Sequence, residues 1–342
     1  MCALYALKKI AFLLFLLLSL KLSAQDDFDI KSYLVLGVEA AEELASIYLE
    51  PLSEGLLYGL TGAWNNTARI KQKWEMDIGL VANGSFVPNE KLSREIDISA
   101  IDNLEVLGGG NLVRIPTILG SKESEVTFVA TRNGEEFIFD APTGIGLVST
   151  NLLPNAFIQA SLGLPMNSEF SLRFFPKLSI EEASIGVIGF GLKNELTQSF
   201  KSLGELPLAI SVFVAFSRLD ADYDFQTDGF VTGESQSINA SLNSWLFEIL
   251  TSTKFPIWNI YGGLGYVTGR SNYIMEGTYI ISTQEGTIQF ENPFDVQASI
   301  SGLRGSLGTS VRLNRFKINL DYTFQGFNNL AFGLHYNLLK GK

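Results

Sequence analysis

The chain has 342 residues, with 25 Lys and Arg against 36 Asp and Glu and a formal charge of −11. So acidic a chain is a poor ligand for nucleic acid, and no nucleic-acid partner is expected. One Cys, one His and four Met are too few for a disulfide framework or a zinc or other transition-metal centre, so no cofactor is expected.

Lys8 and Lys9 precede an apolar run from Ile10 to Leu20, and Leu22-Ser23-Ala24 follows. A basic start, a short apolar core and a small-residue exit read as a cleaved secretory signal over residues 1–24. The run is shorter than the roughly 18 to 20 apolar residues a membrane helix needs. Cys2, Lys8, Lys9 and Lys21 would leave with it, so the mature chain carries no thiol and its charge falls to −14. No later apolar run approaches membrane-helix length. An exported, apolar chain of this kind suits a closed transmembrane β-barrel, which pairs every backbone group without showing an edge to lipid. The alternative is a large secreted β-sandwich or propeller.

Residues 25–66 differ from the rest. Leu34, Gly37, Ala41, Leu44, Ala45 and Tyr48 recur at helical spacing among Glu39, Glu42 and Glu43, and Pro51 marks an expected stop. The Gly-rich apolar stretch LSEGLLYGLTGAW follows. This segment reads as a helical plug or a periplasmic cap, and residues 67–342 as the barrel.

From Trp74 onward the period is two. Trp74, Met76, Ile78, Leu80 and Ala82 oppose Glu75, Asp77 and Gly79; Phe170, Leu172 and Phe174 oppose Glu169, Ser171 and Arg173. Leu303, Leu307, Val311 and Leu313 oppose Arg304 and Arg312, and Phe316, Ile318, Leu320 and Tyr322 oppose Lys317, Asn319 and Asp321. Leu330, Phe332, Leu334 and Leu338 share a face in the last run, against the parity of His335. Tight turns near Pro165, Lys254–Pro256 and Asn314–Arg315 alternate with long polar stretches at 219–236 and 270–296, the asymmetry of an outer-membrane barrel. A periplasmic C-terminus puts the Asn314 turn inside and 270–296 outside, with 194–206 as a long periplasmic connection. Counting doubtful strands between 94 and 140 predicts an all-β, antiparallel barrel of 12–14 strands with a short helical N-terminal segment. Trp74, Trp258, Tyr266, Tyr322 and Tyr336 would form interfacial girdles.

At YLEPLSEGLLYGLTGAWNNTA, RIPTILGS, PTGIGL and LPNAFIQASLGLPMNSEFSLRFFPKL the chain resembles an outer-membrane barrel family of Gram-negative bacteria that carries only a domain-of-unknown-function label. The resemblance covers roughly residues 40 to 339. It implies a barrel and an outer-membrane location, and brings no activity. More remotely, a helical N-terminus ahead of a many-stranded barrel is similar to the long-chain fatty-acid transporter family. That family's Asn-Pro-Ala word is missing here; Glu50-Pro51-Leu52 stands nearby.

Parity places His335, Asn319, Asp321, Lys317, Arg304, Arg312, Arg173, Glu75 and Asp77 in the lumen, with Glu95 and Asp97 on a neighbouring strand. If Leu320 lies opposite Leu334, Asn319 faces His335, and Asp321 and Lys317 sit on diagonals. A carboxylate beside an imidazole could begin a hydrolase dyad, but no G-x-S-x-G word supplies a nucleophile. A hydrogen-bonded brace is the plainer reading, and no enzymatic activity is expected. Acids gather on early strands and bases on late ones, so closure should pair some of them across the seam. Asp220, Asp222, Asp224 and Asp228 are spaced like a calcium loop, but Phe225 replaces the turn glycine and Val231 the bidentate acid. The function that fits is passage or binding of a small solute, a hydrophobic one among the candidates. The alternatives are an interaction barrel displaying its loops and, behind it, a lipid-acting enzyme. Outer-membrane lipid, lipopolysaccharide and the barrel-assembly machinery are the expected partners.

Overall fold

A computed structural model describes residues 30–147, 151–180, 182–225 and 230–339. The signal-peptide reading and Asp228 lie outside them. Ten antiparallel strands close into a barrel. In order around the wall they are β1 (Met76–Phe86), β7 (Leu152–Leu164), β8 (Ser168–Ile180), β9 (Ala183–Glu195), β10 (Leu208–Asp224), β11 (Val231–Thr253), β12 (Trp258–Thr283), β14 (Asp295–Leu313), β15 (Phe316–Phe324) and β16 (Asn329–Leu339). First and last strands pair antiparallel, Gly79 opposite His335 and Leu80 opposite Leu334, which removes the free edge.

The strand number is therefore ten and not 12–14. The doubtful strands between 94 and 140 exist, but not in the wall. β2 (Ser93–Asp97) pairs with β4 (Leu112–Pro116), while β3 (Leu104–Val106), β5 (Thr127–Arg132) and β6 (Glu135–Asp140) form a three-stranded sheet. Alternation reports one buried face whatever covers it, so these strands carry the same period as the wall. Here the cover is a cap. Ile96, Leu104, Ile115, Phe128 and Phe139 share a core with Tyr33, Leu34, Leu44 and Tyr48. Glu95 and Asp97 thus lie outside the lumen. Glu95 is 4.0 Å from Arg114, and the Ser99 hydroxyl and amide hold the Asp97 carboxyl below the usual carboxylate range.

The two barrel ends differ. Short turns at 165–167 and 314–315, and the 254–257 connection, lie at one end with the C-terminus. The 196–207 connection joins them, with short helices α2 (Leu196–Ser199) and α3 (Lys201–Gly204). The cap stands on the other end, where β10, β11, β12 and β14 run well beyond their neighbours. Much of 219–236 and 270–296 is thus wall and hairpin. Thr283 pairs with Gly286 to start β13 (Gly286–Glu291), which folds back on β12. Their inward Ile238, Tyr273, Met275 and Val296 find the cap core to bury against, so the strands persist instead of ending in loops.

The exterior carries a belt. On β10, Leu208 and Val212 face out, followed by Phe216; beyond it stand Arg218 and Asp220. Phe216 is level with Trp245, while Arg218 is level with Asn243. Phe247 continues to Tyr266 and Leu303, with Trp245, Thr268 and Ser301 one row above. The apolar-to-polar boundary thus crosses four strands, with a step of one row between β11 and β12. Eight steps from Leu208 to Phe216, at about 3.3 Å each on a strand tilted about 40°, span about 20 Å, close to the apolar band of outer-membrane barrels. Leu264, Leu303, Leu307, Phe332 and Leu334 are all exposed on this belt. Such a face suits hydrocarbon, and the chain folds as a transmembrane barrel. Asp220 and Asp222 lie just past the belt, paired with Arg218 and Lys177.

A single helix α1 (Val38–Thr61) follows a 3-10 turn at Ile30–Leu36 and passes Pro51 without ending. An interior proline costs about 3 kcal/mol. Packing offsets it: the first half sits in the cap core and the second inside the barrel, where Leu57 and Leu60 meet Phe157, Leu219, Leu242, Val267 and Ile300. Gly55 and Gly59 lie where Phe327 and Asn155 come close to the helix.

Candidate functional site: a threaded lumen and its vestibule

Past Thr61 the chain does not leave the barrel. Residues 62–74 run through the lumen to the short-turn end before β1 turns back. No helix or sheet satisfies this backbone, so the wall must. The Asn83 amide donates to Gly59 O (3.2 Å), Ser217 to Leu60 O (3.2 Å) and Arg304 Nη1 to Thr61 O (2.7 Å). Arg173 Nη1 donates to Leu60 O (3.2 Å) and Gly62 O (2.9 Å). Two guanidinium groups thus cap the last carbonyls of α1, where the helix dipole favours cations. Further along, Gln159 donates to Trp64 O, Ser310 to Asn66 O, Lys193 to Thr67 O and Ser211 to Ala68 O. Glu195 and Glu169 accept from the amides of Ile70 and Lys71. The thread closes on β7, where Trp74 N donates to Gly163 O and Gly163 N to Glu75 O. A Cβ at Gly163 would strike the Gln72 carbonyl, so glycine is required for this close approach.

Arg173 is fully buried. Its Nε and Nη2 also donate to Gln159 Oε1 (3.2 and 2.9 Å), and its guanidinium lies 4.0 Å from the Trp64 ring centroid and 4.6 Å from that of Phe157. Arg304 lies 3.5 Å from Glu248. Nearer the short-turn end, Lys71 is 3.1 Å from Asp77 and 3.4 Å from Glu169, which is also 3.1 Å from Lys193. Acids and bases do meet, but Asp77 pairs with Lys71 on the thread and Glu75 accepts from Asn337, with no ion pair across the β1–β16 seam among the described residues.

His335 is buried and points inward as parity requires. The register differs from expectation by two: Leu320 faces Phe332, and Lys317 rather than Asn319 faces His335. In the connection between the two strands Phe327 stacks on Tyr58 of α1, with centroids 6.0 Å apart. Asn319 lies opposite Gly333, whose missing side chain admits it, and its Oδ1 still reaches His335 Nε2 at 3.0 Å. Asn319 Nδ2 donates to Asp321 Oδ2 (3.1 Å), which also accepts from Tyr261 (3.0 Å). That turns Asn319 Oδ1 toward the imidazole, while Asn66 Nδ2 offers a donor to the same Nε2; the tautomer decides which of the two bonds forms. Asn66, at 3.3 Å, is the other partner of His335 among the described residues. Ser310 Oγ, a hydroxyl on β14, donates to Asn66 O on the thread instead.

At the short-turn end two adjoining cavities of about 120 Å³ and 30 Å³ form a polar vestibule; Lys71, Glu75, Arg312 and Lys317 line both. Asp77 and His335 line the inner one, Arg69, Glu169 and Asn259 the outer. Of the nine predicted lumen residues, five meet here: Glu75, Asp77, Arg312, Lys317 and His335. Asn319 and Asp321 stand behind His335, while Arg173 and Arg304 serve the helix end. Sequence reasoning missed Arg69 and Lys71, which lie on an aperiodic stretch. It also missed Lys193, Glu248 and Asn259 as site residues, although strand parity could have placed them inside.

A family model spans residues 5–338. The chain belongs to the Family of unknown function (DUF6588). Comparison with curated proteins finds no match. Among solved structures it is similar to Ail, the attachment invasion locus protein of Yersinia pestis, in complex with the heparin analogue sucrose octasulfate (9% identity, 78% of this chain and 97% of that chain, TM-score 0.28). It is also similar to the translocator domain of autotransporter NalP from Neisseria meningitidis (9% identity, 89% and 99%, TM-score 0.29). A Pseudomonas aeruginosa FadL homologue is a third (10% identity, 86% and 96%, TM-score 0.23). The family membership agrees with the resemblance read from the sequence.

Proposed function

We propose that this DUF6588 protein is an outer-membrane barrel of a Gram-negative bacterium that binds a small solute at its mouth and does not conduct through its lumen. In this reading residues 1–24 are a cleaved signal, 25–66 are the plug, and the barrel-assembly machinery inserts 67–342 into lipid and lipopolysaccharide. The observation that carries it is the thread: from Gly59 to Lys71 its backbone is bonded to side chains of β1, β7, β8, β9, β10, β14 and, through Ala68 N to Ser252, β11, while the Asn66 side chain meets Lys317 on β15 and His335 on β16. Each such bond contributes about 1 kcal/mol net, and an orphaned buried partner costs more. Displacing the thread breaks about ten of them, on the order of a whole domain's stability. Passage through the barrel axis is therefore disfavoured, and binding at a mouth remains. His335 acts as a brace between β15, β16 and the thread.

The end with short turns faces the periplasm and the cap faces outward. Glu43, exposed on α1 in the cap, and Arg315, exposed in the β14–β15 turn, report the two sides. A Glu43→Cys variant in a Cys2→Ser background should react with a membrane-impermeant maleimide on intact cells, and Arg315→Cys only after lysis. The reverse pattern would put the cap in the periplasm and sink this orientation. A second reading, a surface that docks another protein, is favoured by Leu107, Leu112 and Ile138, each exposed on a cap segment outside the belt.

A further inference from the structure

We propose that the vestibule is a binding site for a small oxyanion of the phosphate class, held by Arg312, Lys317, Arg69 and Asn259. This rests on the reading that the protein binds a solute at its periplasmic mouth, and it names the solute's chemistry.

Three observations carry it. The first is charge placement. Arg312 and Lys317 face each other directly across β14 and β15. Like charges in that position repel, and neither has an ion-pair partner among the described residues. Lys317 Nζ donates only to the neutral Asn66 Oδ1, at 2.9 Å. The nearby acids make no ion pair or hydrogen bond to either cation among the described residues, because theirs are made elsewhere. Glu169 is held between Lys71 and Lys193, Asp77 by Lys71, and Glu75 by Asn337 Nδ2 and the Gln72 amide. Arg69, also lining the outer cavity, adds a third cation without a carboxylate partner among the described residues.

The second is an orphaned donor. Asn259 is buried on β12 and lines the same cavity. Thr253 Oγ1 accepts from Ile260 N (3.1 Å), so its proton goes to Asn259 Oδ1 (2.9 Å). That fixes the amide, and its Nδ2, buried and without a hydrogen-bond partner among the described residues, is left as a donor. Leaving a buried amide N–H unbonded costs free energy, and an oxyanion oxygen relieves it. Asn259 lies level with Ser310, one row in from Arg312 and Lys317, so the donors converge on one side of the cavity.

The third is size. A cavity of about 120 Å³ admits a tetrahedral oxyanion or the terminal phosphate of a larger solute, and guanidinium groups suit its geometry. Phosphate can come from a free solute or from a lipid headgroup. The two share the same contacts.

The test is calorimetric titration of the full chain in detergent with inorganic phosphate and, separately, with dihexanoyl phosphatidic acid. Saturable binding of either is expected, and whichever binds identifies the source. Lys317→Gln and Asn259→Leu should each weaken it at least tenfold, with Arg218→Gln on the outer surface as an unaffected control. Heat-modifiable migration on a gel confirms that each variant is folded; Asn259→Asp, the same shape with a negative charge, substitutes if Asn259→Leu is not. No saturable binding of either probe, or equal binding by folded vestibule variants, overturns the proposal. Neither result bears on whether the lumen conducts, so the closed-barrel reading stands or falls separately.

Discussion

Arg173→Met should destabilise the barrel by about 3 kcal/mol, measured as a lower urea midpoint in lipid vesicles. Methionine fills part of the space beside Trp64 and Phe157 but loses the guanidinium over both rings and donates nothing. Gly62 O and Gln159 Oε1 then lose a buried donor, Leu60 O keeps only Ser217, and orphaned buried groups cost about 1–3 kcal/mol each. Removing a buried cation returns part of that, which is why the sum is not larger. Arg173→Lys should recover little, since one ammonium cannot span Gln159 and two helix carbonyls as the planar fork does. A loss below about 0.5 kcal/mol would mean that the helix end is satisfied some other way.

Glu169→Gln should cost a similar amount, about 3 kcal/mol, by a different route. The carboxylate neutralises Lys71 and Lys193 and also accepts from the Lys71 amide. The neutral isostere keeps the shape but leaves two ammonium groups with one remaining acid, Asp77. The diagnostic is the double variant. Glu169→Gln with Lys193→Met removes one acid and one base together and should cost less than the two single variants summed, a non-additivity of about 1–2 kcal/mol in a double-mutant cycle. Strictly additive losses would show that Glu169 acts through shape and not charge.

Which face of each strand meets lipid was legible in the sequence, because alternation is local. Ile78, Phe170, Leu208, Leu264, Leu303 and Phe332 all face outward as their parity requires, and the inward set includes His335, Arg173 and Arg304. Strand number was not legible. The segments around Glu95 and Phe137 alternate like wall strands, yet their apolar faces are covered by a cap assembled from residues far apart in the chain. Pro51 suggested a stop that packing overrides. Residues 62–74 have no period at all, since each backbone group takes its partner from a different strand. Only the wall, once closed, defines their path. The vestibule suffered from the same non-locality: Lys317 and Arg312 could be placed inside by parity, but their lack of partners becomes visible only when the thread commits Glu169 and Asp77 to other cations.

The claim at the centre is that the thread seals the barrel. Planar-bilayer recording of the folded full chain, its folding checked by heat-modifiable migration, tests it most directly. The account predicts baseline current with no steady steps at either polarity. A stable, ohmic conductance from the intact chain would contradict it, since it would require an open path beside or through residues 62–74.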